Sequence, residues 1–266
     1  MTTVQGTALI TGASAGIGAT YAEKLAKRGH DLVLVARDAA RMETLAGRLR
    51  AEHGVTIEVL RADLTVDADI AAVEARLASG EVSILVNNAG MAMTGGILDN
   101  GPVELTRLIS LNVIAPTRLA SAAGKAFVAK GAGVIVNIAS VLALAPEMFD
   151  AVYSGTKAFV LNLSQGMAAQ LADKGVHVQA VLPGATRTEI WERSGTDIEA
   201  FPPEMVMDVD DLVDAALVGL DKGETVTIPP LADEGQWEAM QAARRAMAPG
   251  LSRREVAARY RETAQA

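Results

Sequence analysis

Short apolar runs rich in Val, Ile and Leu recur along the chain at 7–10, 31–36, 56–60, 83–86, 133–138, 176–182 and 224–228. Between them lie stretches whose apolar residues return at helical spacing: 17–28, 39–51, 67–78, 103–130, 151–172 and 209–220. The runs do not alternate apolar with polar, so each predicted strand is buried on both faces. The intervening stretches are long enough for crossover helices, the pattern of a parallel sheet covered on both sides. A doubly wound α/β fold of about seven strands is predicted, with helices on both faces. The segment 186–205 departs from this rhythm: Gly195, the pair Pro202-Pro203 and mixed charge mark it as a substrate lid. From 236 to 266 two short charged helices are predicted, broken at Pro249-Gly250, and no internal repeat is found.

At 266 residues the chain reads as one domain, 1–266, with one large core. Half of the residues are apolar and 21% are charged, ample material for folding unaided. The absence of cysteine excludes a disulfide framework, a thiolate metal site and a cysteine nucleophile. His30, His53 and His177 are scattered without ligand spacing, so no catalytic metal is expected. A net charge of −8 repels polyphosphate backbones, and no long basic cluster counters it, which argues against nucleic acid as a partner. Residues 1–6 lack a basic region followed by an apolar core, and no run reaches the roughly 18 apolar residues of a membrane span. The expectation is a cytoplasmic protein without membrane attachment.

The first run leads directly into Thr11-Gly12-Ala13-Ser14-Ala15-Gly16-Ile17-Gly18 and then a helix. Glycines there let backbone N–H groups approach a pyrophosphate at a helix N-terminus. The spacing is G-x-x-x-G-x-G, not the usual G-x-G-x-x-G of dinucleotide folds, and a purely structural turn is the competing reading. The second run ends Val35-Ala36-Arg37. An NAD site places a carboxylate at about this point, against the ribose 2′-hydroxyl. Alanine followed by arginine instead favours NADP(H): the guanidinium can hold a phosphate through two charge-assisted hydrogen bonds, with Ser14 as a further donor. The alternative is a solvated Arg37 paired with Asp38.

Tyr153 and Lys157 stand four apart in a predicted helix and share a face. An ammonium about 4 Å from a phenol, at an effective dielectric of about 20, contributes ~4 kcal/mol, enough to bring tyrosine from about 10 to near neutrality. An acid–base group is therefore predicted. Such pairs are also frequent on helix surfaces, but Ser140 follows the run 133–138, at the carboxyl edge where open α/β sheets bind ligands.

These motifs, with Asp63, Asn87-Asn88-Ala89-Gly90, Asn112, Tyr153-Ser154-Gly155-Thr156-Lys157 and Pro183-Gly184 in the same order, make the chain resemble the short-chain dehydrogenase/reductase family over nearly its whole length. The resemblance implies a Rossmann-type fold and hydride transfer between NADPH and a carbonyl or secondary alcohol. It implies that Gly12, Ser14, Gly16, Ile17 and Gly18 bind the cofactor, that Asp63 contacts adenine, and that Asn88, Ala89 and Gly90 lie beside the cofactor and steady the central sheet. Tyr153 would give a proton to the carbonyl oxygen and Ser140 would hydrogen-bond it. Lys157 would hold the nicotinamide ribose and lower the tyrosine pKa, and Asn112 would position a water linking Lys157 to solvent. Pro183, Gly184, Thr186 and Thr188 would hold the carboxamide.

Plainer roles stand beside several of these. Asp63 can cap near Thr65, Asn112 can be an exposed polar helix residue, and Thr188 can cap a short helix over 189–193. In the lid, Ile190, Trp191, Phe201 and Met205 can cover an apolar substrate or serve as ordinary packing. Two alternatives accompany the carbonyl reductase: a 3-oxoacyl-thioester reductase acting on an acyl carrier, and a regulatory protein that senses NADPH without turnover. The helices at 103–130 and 151–172 correspond to those through which family members assemble, so a homo-oligomer, dimer or tetramer, is expected.

Overall fold

The computed structural model describes residues 6–193 and 197–261; the expectations placed on the extreme N-terminus and on Gly195 lie outside them. Two compact units are present, Met1–Pro230 and Leu231–Ala266. The first runs β1 (Thr7–Thr11), α1 (Gly16–Lys27), β2 (Leu32–Ala36), α2 (Ala39–His53), β3 (Ile57–Arg61), α3 (Asp67–Ala78) and β4 (Val82–Asn87). It continues with α4 (Pro102–Ile109), α5 (Ala115–Lys130), β5 (Gly133–Ile138), α6 (Ala151–Leu171), β6 (Val176–Val181), β7 (Ala185–Thr186), α7 (Ile190–Arg193), β8 (Val206–Met207), α8 (Val209–Lys222) and β9 (Val226–Thr227). Each predicted run is a strand of one parallel seven-stranded sheet, ordered β3-β2-β1-β4-β5-β6-β9.

The two-residue period of a strand sends neighbours to opposite faces, and here both faces are core. Ala8, Ile10, Leu32 and Leu34 join Tyr21 and Leu25 of α1, Met42 and Leu49 of α2, and Val213 and Leu217 of α8. Leu9, Val33, Val35 and Leu85 join Val73 and Leu77 of α3, and Leu119 and Phe127 of α5. That is why the runs lack polar alternation. The chain builds outward from β1 to β3, then returns to place β4 on the other side of β1. The crevice at the carboxyl ends of β1 and β4 is the point at which such sheets bind ligands.

The predicted helix 103–130 runs unbroken from Pro102 to Lys130 but is not regular throughout. Between α4 and α5 the chain makes a π turn, Ser110–Ile114, and the Ala115 N–H donates to Ser110, five residues back. Pro116 supplies the reason. It has no N–H, and its ring meets the carbonyl four residues earlier, that of Asn112, so regular α-winding cannot pass. Asn112 is thereby turned inward and buried.

The pairing of β7 with β8, Ala185 with Val206 and Thr186 with Met207, was not predicted, because two residues carry no periodic signal. It closes the base of the lid, which holds α7 and two short 3-10 turns, Ile198–Ala200 and Pro203–Met205.

In the second unit, α9 (Glu234–Met247) is capped by Asp233, which accepts the Gly235 N–H at 3.0 Å. Beyond Met247 the described residues form only 3-10 turns, so the second predicted helix is corrected to turns at Ala248–Gly250 and Ala258–Tyr260. Adjacent proline and glycine, the two poorest helix formers, account for the break. Among the described residues no helix is long and apolar enough to cross a membrane.

Candidate active site

The glycine turn after β1 is fitted closely to the end of β4. Gly12 has φ +68°, and a Cβ there would lie 2.7 Å from Asn88 Nδ2; a Cβ on Gly18 would lie 2.3 Å from the Gly12 carbonyl oxygen. Only glycine fits either place. Asn88 Nδ2 donates to the Thr11 carbonyl at 2.9 Å, while the Thr11 hydroxyl accepts the N–H groups of Asn88 and Ala89, each at 3.0 Å. Thr11 was missed in the sequence, where nothing distinguishes it from an ordinary strand end. The first turn of α1 has no side-chain cap, which leaves its N–H groups available to an anion.

Toward β2 and β3, Arg37 is exposed on the cavity wall. Asp38 does not pair with it; Asp38 caps α2 by accepting the Arg41 N–H at 3.0 Å. Asp63 accepts from the Thr65 N–H at 3.0 Å and the Thr65 hydroxyl at 2.7 Å, so the turn-anchoring role is real. Burial pushes the Asp63 carboxyl up, but those hydrogen bonds and the charges of Arg37 and Arg107 outweigh it and hold the group below its ordinary value.

At the ends of β5 and β6 the candidate reacting groups converge. Ser140 is buried, accepts the Leu142 N–H at 3.2 Å and donates to the Pro183 carbonyl at 3.5 Å. Asp150 caps α6 by accepting the Tyr153 N–H at 2.6 Å, which fixes where the tyrosine begins its helix. Lys157 is buried, with Nζ 5.6 Å from the Tyr153 ring centroid and donating to the Ile138 carbonyl at 2.9 Å.

Burial lowers this lysine to about 8. Burial also pushes the Tyr153 phenol up to about 12, only partly offset by Ser140. The expectation of a phenol brought toward neutrality by Lys157 is thus corrected. The ammonium is turned to a carbonyl, and among the chain's own groups desolvation dominates.

Asn112 does not reach the cavity wall. Its Oδ1 accepts the Met91 N–H at 3.0 Å, and its Nδ2 donates to the Met91 carbonyl at 2.9 Å and to the Thr156 hydroxyl at 3.2 Å. Thr156 in turn donates to the Tyr153 carbonyl at 2.7 Å. Asn112 therefore ties the loop after Gly90 to the helix of Tyr153, a buried role distinct from an exposed helix position.

Apart from Gly18 and Asn112, every predicted site residue lines one cavity of about 1280 Å³. Single drug-sized ligands occupy roughly 300–1,000 Å³, so the space suits a dinucleotide and a second molecule together. Pro183, Gly184, Thr186 and Thr188 form the wall after β6. Beyond Tyr153 the wall is apolar and aromatic. Phe149 meets the Tyr153 ring edge-on at 5.9 Å and Trp191 at 6.4 Å, and Trp191 meets Phe201 at 5.2 Å. Trp191 is anchored by its Nε1 donating to the Thr186 carbonyl at 2.7 Å. Phe149 was missed; its only signal was an aromatic residue immediately before the α6 cap.

The residues present fit a nicotinamide dinucleotide, since the turn that only glycine can make and the uncapped α1 shape a phosphate cradle beside Arg37.

Comparison with known proteins agrees. The short chain dehydrogenase family profile matches residues 6–199. The chain is similar to a short-chain dehydrogenase from Sphingobium yanoikuyae solved in complex with NADPH: 55% identity, TM-score 0.93, covering 95% of this chain and 98% of that one. It is similar to a bulky-bulky ketone specific alcohol dehydrogenase from Comamonas testosteroni: 50% identity, TM-score 0.89, covering 97% and 99%. It is also similar, at 31% identity over 202 residues, to a very-long-chain 3-oxoacyl-CoA reductase from Anas platyrhynchos, covering 74% of this chain and 65% of that one. Relatives of that kind are longer, and the chain spans under two thirds of their length.

Proposed function

The chain belongs to the short chain dehydrogenase family, and on that premise we propose that it reduces a bulky apolar ketone, or oxidises the corresponding secondary alcohol, with NADP(H) as cofactor. The observation that carries this reading is the single cavity with the glycine turn and Arg37 at one end, and Ser140, Tyr153 and Lys157 before an aromatic wall at the other. Preference for NADPH is supported by Ala36 and Arg37 standing where an NAD site keeps its carboxylate, and by the NADPH complex of the 55% identical protein.

NADPH supplies the hydride; the chain supplies placement and the proton. A phenol held at about 12 stays protonated across the neutral range and donates to a carbonyl oxygen gaining charge. The Ser140 hydroxyl would hydrogen-bond that oxygen, and Lys157, 5.6 Å from the phenol ring centroid, would hold the nicotinamide ribose and keep a positive charge near the phenol. Asn112 and Thr156 are positioning residues for that helix.

An acyl-thioester substrate is the weaker alternative. Its phosphate-rich carrier calls for basic residues at the mouth, whereas among the described residues the wall beyond Tyr153 is apolar and aromatic, with the acid Glu204. A substrate without charge suits it better.

The test is NADPH oxidation followed against bulky ketones, aldehydes and acyl thioesters, with NADH and Tyr153→Phe in parallel. Turnover selective for NADPH and for bulky ketones, lost by about a thousandfold or more in Tyr153→Phe, is expected; general acid catalysis contributes roughly 10²–10⁴-fold. Tight NADPH binding with no turnover on any substrate would favour a cofactor-sensing protein instead.

A further inference from the structure

We propose that Arg41 is a second arginine for the 2′-phosphate of NADPH, and that Glu189 is its built-in counter-anion, displaced when that phosphate arrives. The inference rests on the reading that this groove takes NADPH. Arg41 lies four residues past Arg37, and Asp38 between them is committed to the Arg41 backbone N–H. The cap therefore fixes the Arg41 backbone one helical turn past Arg37, outside the cavity lining, and its side chain reaches toward the cavity through Glu189, which lines it. Nη1 donates to Glu189 Oε2 at 2.9 Å and Nη2 to Glu189 Oε1.

Glu189 lines the cavity together with Arg37 and Ser14. Its neighbour Thr188 lies against the glycine turn, since a Cβ on Gly16 would come within 3.2 Å of Thr188 Cγ2. A carboxylate at that place, alone, would repel the phosphates of a dinucleotide. Arg41 neutralises it.

The arginine fork that holds a carboxylate through two parallel hydrogen bonds holds a phosphate in the same way. A phosphate carries the greater charge and competes well for the fork. Both members of the pair are partly exposed, so their bond is weak enough to exchange. Among the described residues, the other charged groups lining this end are Arg37, Asp38, Arg107 and Asp63; Asp38 is held by the Arg41 N–H and Asp63 by Thr65. NADH has no 2′-phosphate and leaves Glu189 where it is. The pair thus adds discrimination between the two cofactors to what Arg37 provides.

The experiment is a titration of NADPH and of NADH, by nicotinamide fluorescence, against the full chain, Arg41→Ala, Glu189→Gln and the double variant. Melting curves accompany each to establish folding, and Arg41→Lys supplies a conservative variant that keeps charge without the fork. Arg41→Ala should weaken NADPH by about tenfold and NADH by less than about twofold. Glu189→Gln should tighten NADPH by about two- to fivefold, and most of that gain should vanish in the double variant. Arg41→Lys should fall between the wild type and Arg41→Ala for NADPH.

Equal weakening of both cofactors by Arg41→Ala, or weaker NADPH binding in Glu189→Gln, would overturn the inference and make the pair a strap for the lid. A wild type that binds NADPH with unchanged preference in Arg41→Ala defeats this inference alone. A wild type that binds neither cofactor defeats the functional reading as well.

Discussion

Lys157 and Tyr153 were both legible as residues, but the direction in which the fold moves the phenol was not. Sequence spacing gives the face they share; it does not give the depth at which they lie, and burial rather than mutual charge sets both titrations. The signs lead to an expectation. A lysine lowered to about 8 loses its proton as pH rises through that value, while a phenol raised to about 12 keeps its own. Carbonyl reduction uses the protonated phenol and the charged lysine, so its kcat/KM should be level below about pH 8 and decline above it. Alcohol oxidation uses the phenolate and should rise with pH across the same range. Profiles for both directions between about pH 6 and 10 check this; parallel curves would count against Tyr153 as the group that exchanges the proton. Arg37 and the glycines were readable because one residue type is needed at each, whereas Thr11 and Phe149 act through contacts that composition does not mark.

At the scale of elements, the strands and most helices follow from apolar runs and helical spacing, since every strand is packed from both faces. The π turn escaped, because a single widened turn leaves helical spacing intact on either side; Pro116 within the predicted helix was the available clue. Its replacement separates stability from activity. Pro116→Ala should let α-winding run through the turn; the helix-propensity gain, up to about 3 kcal/mol, is offset by about 1–3 kcal/mol for each buried group of Asn112 left unpaired, so the melting temperature should change little. The same change should lower kcat by roughly tenfold, because Asn112 is drawn away from Met91 and Thr156, and π turns commonly serve functional sites. A thermal melt beside steady-state kinetics decides it: a variant of unchanged melting temperature with undiminished kcat would remove any part for the wide turn in positioning Tyr153.

At the scale of the whole molecule, the doubly wound sheet was legible from the runs alone, and the charged stretch from 236 onward stood apart in the sequence, close to where the second compact unit begins at Leu231. Assembly is a proposal at this scale. Val103 and Ile109 of α4, Ile114 of the π turn and Phe159 of α6 leave apolar side chains exposed, and symmetric association is a common way to cover such surface. Light scattering at micromolar concentration should give a multiple of the 27.7 kDa chain mass; a mass of one chain would dispose of the idea. The ladder between β7 and β8 has a different consequence. It pins both ends of the segment between Thr186 and Val206 beside the cavity, whatever lies between. Doubling a closed loop costs only about 0.6 kcal/mol, so descendants of this chain can inherit longer, shorter or recoloured inserts there. Lineages can diverge in what they accept while Ser140, Tyr153 and Lys157, held by other strands and helices, pass on unchanged.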